Sequence, residues 1–196
     1  MTETTAAAAA EAAPKLRADA VRNRARLVEA ARELFLAGPP DAEVSLEQVA
    51  KAAGVGIGTL YRHFPTRLDL LEAVYREEVD GLRQAAERIS ADHPPLEGLE
   101  LWLEVFADYA ATKKHIFHEL VEATGRDSEL MTHSRATMTA AAEKMVGAAQ
   151  EAGAIRKDIT ALDVIRLVGG CTMMPNFDRA QLRRIMKVVM DGLKAD

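Results

Sequence analysis

This chain of 196 residues has one cysteine, Cys171. A single thiol excludes an intramolecular disulfide framework and a cysteine-based zinc site, and it fits a reducing compartment. Aromatic residues are scarce at 5%, with a single Trp. No hydrophobic run approaches the roughly 18 residues that a membrane-spanning helix needs, because charges interrupt every one. Strand signals are nearly missing, since no apolar/polar alternation is sustained between hairpin turns. The first thirteen residues, MTETTAAAAAEAA, lack the basic start of a targeting peptide, and alanine is too weakly apolar for a signal core. These absences leave the expectation of a soluble, cytoplasmic, all-α protein with no membrane partner, whose residues 1–20 form a disordered Ala-rich tail.

What is present is ordinary apolar content, 48%, and a net charge of -5. The charge is unevenly placed. Residues 15–67 carry nine Lys or Arg against six Asp or Glu, while residues 68–196 carry 16 against 22. A mildly basic segment on an acidic chain can still attract phosphates locally, so total charge does not exclude nucleic acid.

Helical periodicity predicts a first helix over about residues 21–37, stopped by Gly38-Pro39-Pro40. Ser45-Leu46-Glu47-Gln48 has the form of a capping box that opens a second helix, and Gly54 is placed to end it. A third helix must fit between Gly58 and Pro65, which allows only six or seven residues. Thr66 and Asp69 begin a fourth, with Leu68, Leu71, Tyr75, Val79 and Leu82 as its apolar stripe. Further amphipathic helices follow over about 96–112, 115–124, 129–152, 161–174 and 179–193, about nine in all.

The stretch from Gly54 to Arg67, GVGIGTLYRHFPTR, carries the chemistry. A phosphate-binding loop would need a Gly-Lys-Ser/Thr ending or a preceding strand, and neither is present. Two short helices joined by a glycine-containing turn instead form a helix-turn-helix, residues 45–64, whose second helix can enter a DNA major groove. Leu60 and Phe64, four apart, would brace that helix and leave Thr59, Tyr61, Arg62 and His63 outward. On spacing alone, a plain helical corner in a bundle stays open as an alternative.

Residues 22–67 resemble the amino-terminal domain of the TetR family of transcriptional regulators. The resemblance is carried by Gly54, Val55, Gly58, Thr59, Leu60, Tyr61, His63, Phe64 and Arg67. It implies a DNA-binding domain over residues 21–66, joined by a long fourth helix to a regulatory ligand-binding and dimerisation domain over 67–196. It also implies that Ser45 and Thr59 offer hydroxyl and backbone N–H groups to phosphates, that Tyr61 and His63 hold the DNA backbone, and that Arg67 clamps a phosphate. Ile57 and Arg62 would then lie nearest the bases. Gly56 stands where many relatives have serine, which removes one hydroxyl contact. Ile57 could then meet a thymine methyl but not a guanine edge, which leaves Arg62 as the best candidate for guanine.

The second half offers candidates for a small-molecule site in Trp102, Phe106, Tyr109, His118, Met138 and Met173, although a Met and aromatic stripe is as often core. Val164, Leu167, Val168, Leu182, Ile185 and Val189 are candidates for a dimer interface, or equally for sealing the chain's own core. His115, His118, Glu119 and Glu122 could suggest a metal, but no third histidine joins them in a recognisable motif, so no metal or cofactor is expected. No Gly-x-Ser-x-Gly elbow supports a hydrolase, and Cys171 reads as a buried small hydrophobe. The expectation is a non-enzymatic homodimeric regulator, a repressor released from a two-fold symmetric double-stranded operator by a small apolar or aromatic ligand. The alternatives are an all-helical carrier or enzyme with a non-functional helix-turn-helix, and a protein-binding adaptor.

Overall fold

The computed structural model describes residues 3–37, 44–112, 114–172 and 178–195, with side chains described for 17–35, 44–112, 116–172, 178 and 180–195. Met173 and Phe177 lie outside the described residues. Nine helices are described: α1 (Glu3–Ala37), α2 (Leu46–Ala53), α3 (Ile57–His63), α4 (Arg67–Asp92), α5 (Pro95–Thr112), α6 (Lys114–Thr124), α7 (Glu129–Glu151), α8 (Ala161–Thr172) and α9 (Arg179–Leu193). No strand occurs among the described residues, only an isolated bridge between Ile155 and Lys194. No described helix is long and apolar enough to cross a membrane.

The chain divides into two compact units, Met1–Val74 and Tyr75–Asp196, and the division falls within α4. The sequence boundary at residue 66 therefore precedes the division between the compact units by two helical turns. α1 begins at Glu3, well before the expected start near Val21 and across the segment expected to be a disordered tail. The tail offers no apolar face to pack, but alanine has the most favourable intrinsic helix propensity.

The first unit is built around Leu27, Val28, Ala31, Val49, Ala53, Leu60, Phe64 and Val74, all buried. The capping box that opens α2 is complete: the Ser45 N–H donates to Gln48 Oε1 at 2.8 Å, and the Gln48 N–H donates to Ser45 Oγ at 3.2 Å. Gly54 closes α2 in the left-handed region, with φ at 62°. Only glycine takes that conformation without strain. A Cβ there would also lie 2.7 Å from an Arg26 guanidinium nitrogen. Thr66 and Asp69 reciprocally cap the start of α4, the Thr66 N–H donating to Asp69 Oδ2 at 2.8 Å and the Asp69 N–H to Thr66 Oγ1 at 3.2 Å.

The second unit has its own core of Leu82, Leu99, Trp102, Leu103, Met145, Val164, Val168 and Met186. Trp102 is fully buried, and its indole N–H donates to the Leu82 carbonyl at 3.0 Å. That bond satisfies the ring's one polar group within the core.

Candidate DNA-binding face and small-molecule cavity

α3 starts one residue earlier than the glycine pattern predicts: Gly56 is its N-cap, and Gly58 falls inside the helix. With seven residues it is about 10 Å long. Leu60 is fully buried and Phe64 nearly so, which holds the helix against the unit's core. Arg24 lies over the Phe64 ring, 5.3 Å from its centroid, and covers the same brace.

The opposite face is open. Ile57 is 41% exposed and Tyr61 45%. Arg62 is exposed, and its Nε donates to the Gly58 carbonyl at 3.1 Å, which sets the guanidinium along the helix. His63 is half-buried, 6.3 Å from the Phe64 ring. The geometry therefore brings Ile57, Tyr61 and Arg62 together on one surface with the exposed Gly56 at its edge.

Three residues of the expected set are engaged differently. The Thr59 N–H already donates to the Gly56 carbonyl at 2.8 Å, and the Ser45 N–H is spent on Gln48, so neither backbone group is left for a phosphate. Arg67 donates to the Val44 carbonyl and lies over the Phe35 ring, 4.9 Å from its centroid. It braces the unit where a free phosphate clamp was expected.

In the second unit a cavity of about 310 Å³ is lined by Phe106, Tyr109, Phe117, Met138, Ile165 and Gly170, among others. Tyr75, at the unit's first residue, also lines it. Three of the sequence candidates, Phe106, Tyr109 and Met138, meet there. Trp102 does not reach the wall: it stacks behind Phe106 with ring centroids 5.7 Å apart. His118 stands away from the cavity, 72% exposed and 3.4 Å from Glu122. No cluster of three or more metal-ligating side chains occurs among the described residues. Burial raises the phenol pKa of Tyr75 and pushes that of Tyr109 well above the usual value, so both hydroxyls are neutral donors at physiological pH. Sequence reasoning placed Tyr75 on an apolar stripe and did not single out Phe117. It missed Gly170, although a Gly169-Gly170 pair inside a helix pattern is a signal for an open wall.

The expected dimer residues also separate. Val164, Val168, Leu182 and Val189 are buried in the chain's own core, because they share the inward faces of α8 and α9. Leu167 is 52% exposed, Ile185 is half-buried, and Val188, which the pattern passed over, is 72% exposed. These three border a groove of about 610 Å³ that also takes in Cys171. Cys171 is half-buried there, less enclosed than expected.

Two family models match. "Bacterial regulatory proteins, tetR family" covers residues 27–74, and "Transcriptional regulator SbtR-like, C-terminal domain" covers residues 94–195. A TetR transcriptional regulator from Streptomyces coelicolor is 36% identical, with a TM-score of 0.73 over 87% of this chain and 98% of that one. A TetR regulatory protein from Mycobacterium vanbaalenii is 31% identical, with a TM-score of 0.70 over 92% and 99%. An HTH-type transcriptional regulator of Staphylococcus aureus is 32% identical over 108 residues, 53% of this chain and 56% of that protein, so the match spans little more than half the length of that curated relative. The braced α3 with its open outer face, the paired family matches and full-length structural likeness together place this chain in the TetR family of DNA-binding transcriptional regulators.

Proposed function

We propose that the protein is a cytoplasmic, homodimeric repressor that holds a two-fold symmetric operator through α3 and releases it when a small apolar or aromatic molecule enters the cavity of the second unit. The observation that carries this reading is the two-sided character of α3, with Leu60 and Phe64 inside and Ile57, Tyr61 and Arg62 outside. A solvated corner gains nothing from an exposed tyrosine and isoleucine beside an arginine. A groove reader uses all three: Arg62 for a guanine edge, Ile57 for a thymine methyl and Tyr61 for the sugar-phosphate backbone.

A seven-residue reading helix gives a small interface, so two copies on adjacent half-sites bind far better than one. The exposed apolar Leu167 and Val188, with the half-buried Ile185 between them and the core, support pairing of two chains through the face of α8 and α9. Release follows from Tyr75. It lines the cavity and lies on α4, whose first turns belong to the DNA-binding unit. A ligand pressing on Tyr75 biases the helix that carries those turns. Such coupling between sites is typically about 1–3 kcal/mol, or roughly 5- to 150-fold in DNA affinity.

A gel-shift with DNA from upstream of the protein's own coding region tests the reading. The full chain retards that DNA, and Arg62→Ala abolishes the specific band while gel filtration still shows the dimer. A specific band that survives Arg62→Ala overturns the assignment of the reading face.

A further inference from the structure

The cavity described above is apolar along most of its wall but has one polar end. Phe106, Phe117, Met138 and Ile165 supply the apolar part. The rings meet at angles rather than as one sheet: Tyr75 and Phe117 are 6.4 Å apart and tilted 44°, and Phe106 and Tyr109 are 6.3 Å apart and tilted 33°. At about 310 Å³ the space lies at the low end of the range of roughly 300–1,000 Å³ usual for small-molecule pockets, and it suits a molecule of one or two rings.

At the polar end the Tyr75 hydroxyl faces those of Tyr109 and Ser134. Ser134 sits on α7 one turn before Met138, so the two share a helix face. It is only 1% exposed and stands outside the cavity lining, where its Oγ faces the Tyr75 hydroxyl without a well-formed hydrogen bond. Tyr109 is partly exposed as a residue, yet its hydroxyl end is buried. Two neutral hydroxyls, of Tyr75 and Tyr109, thus converge on the cavity wall, with that of Ser134 behind Tyr75.

The surrounding charge does not favour an anion. Arg166 is the one charged side chain among the described lining residues, and it lies near Asp163, whose carboxyl it helps hold below the usual range. Glu78 adds negative potential at the Tyr109 hydroxyl. We propose, resting on the effector reading above, that the ligand is a neutral hydrophobic molecule of one or two rings with a single oxygen acceptor, which the hydroxyls of Tyr75 and Tyr109 engage.

The test titrates the full chain with three probes of similar shape: 2-acetylnaphthalene, which is neutral with one carbonyl; 2-isopropylnaphthalene, which has no oxygen; and the anion 2-naphthoate. Calorimetry reads binding directly. Quenching of Trp102, the chain's sole tryptophan and stacked on the lining ring of Phe106, gives a second readout. The ketone binds at least about 10-fold tighter than either other probe, as one good hydrogen bond in a dry site allows. Tyr75→Phe and Tyr109→Phe each reduce the ketone's advantage over the hydrocarbon by about 3- to 10-fold. Gly170→Leu abolishes ketone binding: a Cβ at Gly170 meets nothing within 4 Å, so the added side chain has room to fill the cavity. If Tyr109→Phe fails to fold, Tyr75→Phe decides alone. Tightest binding of the carboxylate, equal binding of ketone and hydrocarbon, no binding of any probe, or a ketone advantage untouched by Tyr75→Phe overturns the assignment. The same preparations are assayed on upstream DNA. Intact DNA binding with failed ketone preference sinks the ligand class alone, whereas absent DNA binding in the unaltered chain sinks the repressor reading itself.

Discussion

The guanidinium of Arg67 lies 4.9 Å from the centroid of the Phe35 ring and donates to the carbonyl of Val44, tying the start of α4 to α1 and to the segment before α2. Partly desolvated cation–π contacts contribute about 0.5–2 kcal/mol, and hydrogen bonds from charged donors about 1.5–3. Arg67→Ala therefore lowers the urea-unfolding free energy of the first unit by about 1–3 kcal/mol. Arg67→Lys keeps the charge but loses the flat fork, so it recovers less than half of that. Equal stability of all three proteins in urea titrations would show that Arg67 is a surface residue free to serve DNA alone.

Gly54 joins the two helices of the motif at φ 62° beneath the Arg26 side chain. Gly54→Ala costs about 1 kcal/mol from the left-handed backbone, plus whatever the displaced Arg26 loses. The loss is expected both in thermal unfolding of the first unit and as weaker DNA binding, because the turn sets the angle of α3. An unchanged melting temperature with unchanged DNA affinity contradicts this role.

Two substitutions in the second unit should act in opposite directions. Trp102→Phe removes buried volume and the bond to Leu82, and it lowers stability by about 1–3 kcal/mol. Ser134→Ala removes a buried hydroxyl that has no partner, and it leaves stability unchanged or raises it by up to about 1 kcal/mol. Chemical denaturation measures both. A loss of stability in Ser134→Ala would mean that the hydroxyl holds the fold together.

Val188 is 72% exposed on α9, so a charge there disturbs no core. Val188→Glu is expected to shift sedimentation from dimer towards monomer and to weaken operator binding at least about 10-fold by removing the second half-site contact. Its melting temperature, measured at a concentration where both proteins are monomeric, is expected to be unaltered. A variant that still sediments as a dimer rules out this face as the interface.

Much of this was legible in the chain because local rules set it. Ser45 with Gln48, Gly54 and Thr66 with Asp69 mark their helix ends through contacts within three or four residues, and they did so correctly. The core side of α3 was legible from Leu60 and Phe64. The start of α1 was not, because alanine's intrinsic preference competes with the lack of an apolar face. Neighbouring positions such as Val188 and Val189 differ in burial only through what α8 and α5 place beside them, which periodicity cannot resolve to one residue. The same holds for Trp102, inside the core behind the cavity wall, and for Ser134, whose burial depends on Tyr75 arriving from another helix. The bracing contacts of Arg67 were not legible, because the aromatic ring it meets lies 32 positions earlier in the chain.

The most direct measurement is a fluorescence-anisotropy titration of the full chain against its own upstream duplex and a scrambled duplex, over a series of salt concentrations. The outward face of α3 predicts binding to the upstream duplex at least about 10³-fold tighter than to the scrambled one. It also predicts affinity falling linearly on a log–log salt plot as phosphate contacts release counterions. Equal affinity for the two duplexes, or affinity indifferent to salt, would contradict it.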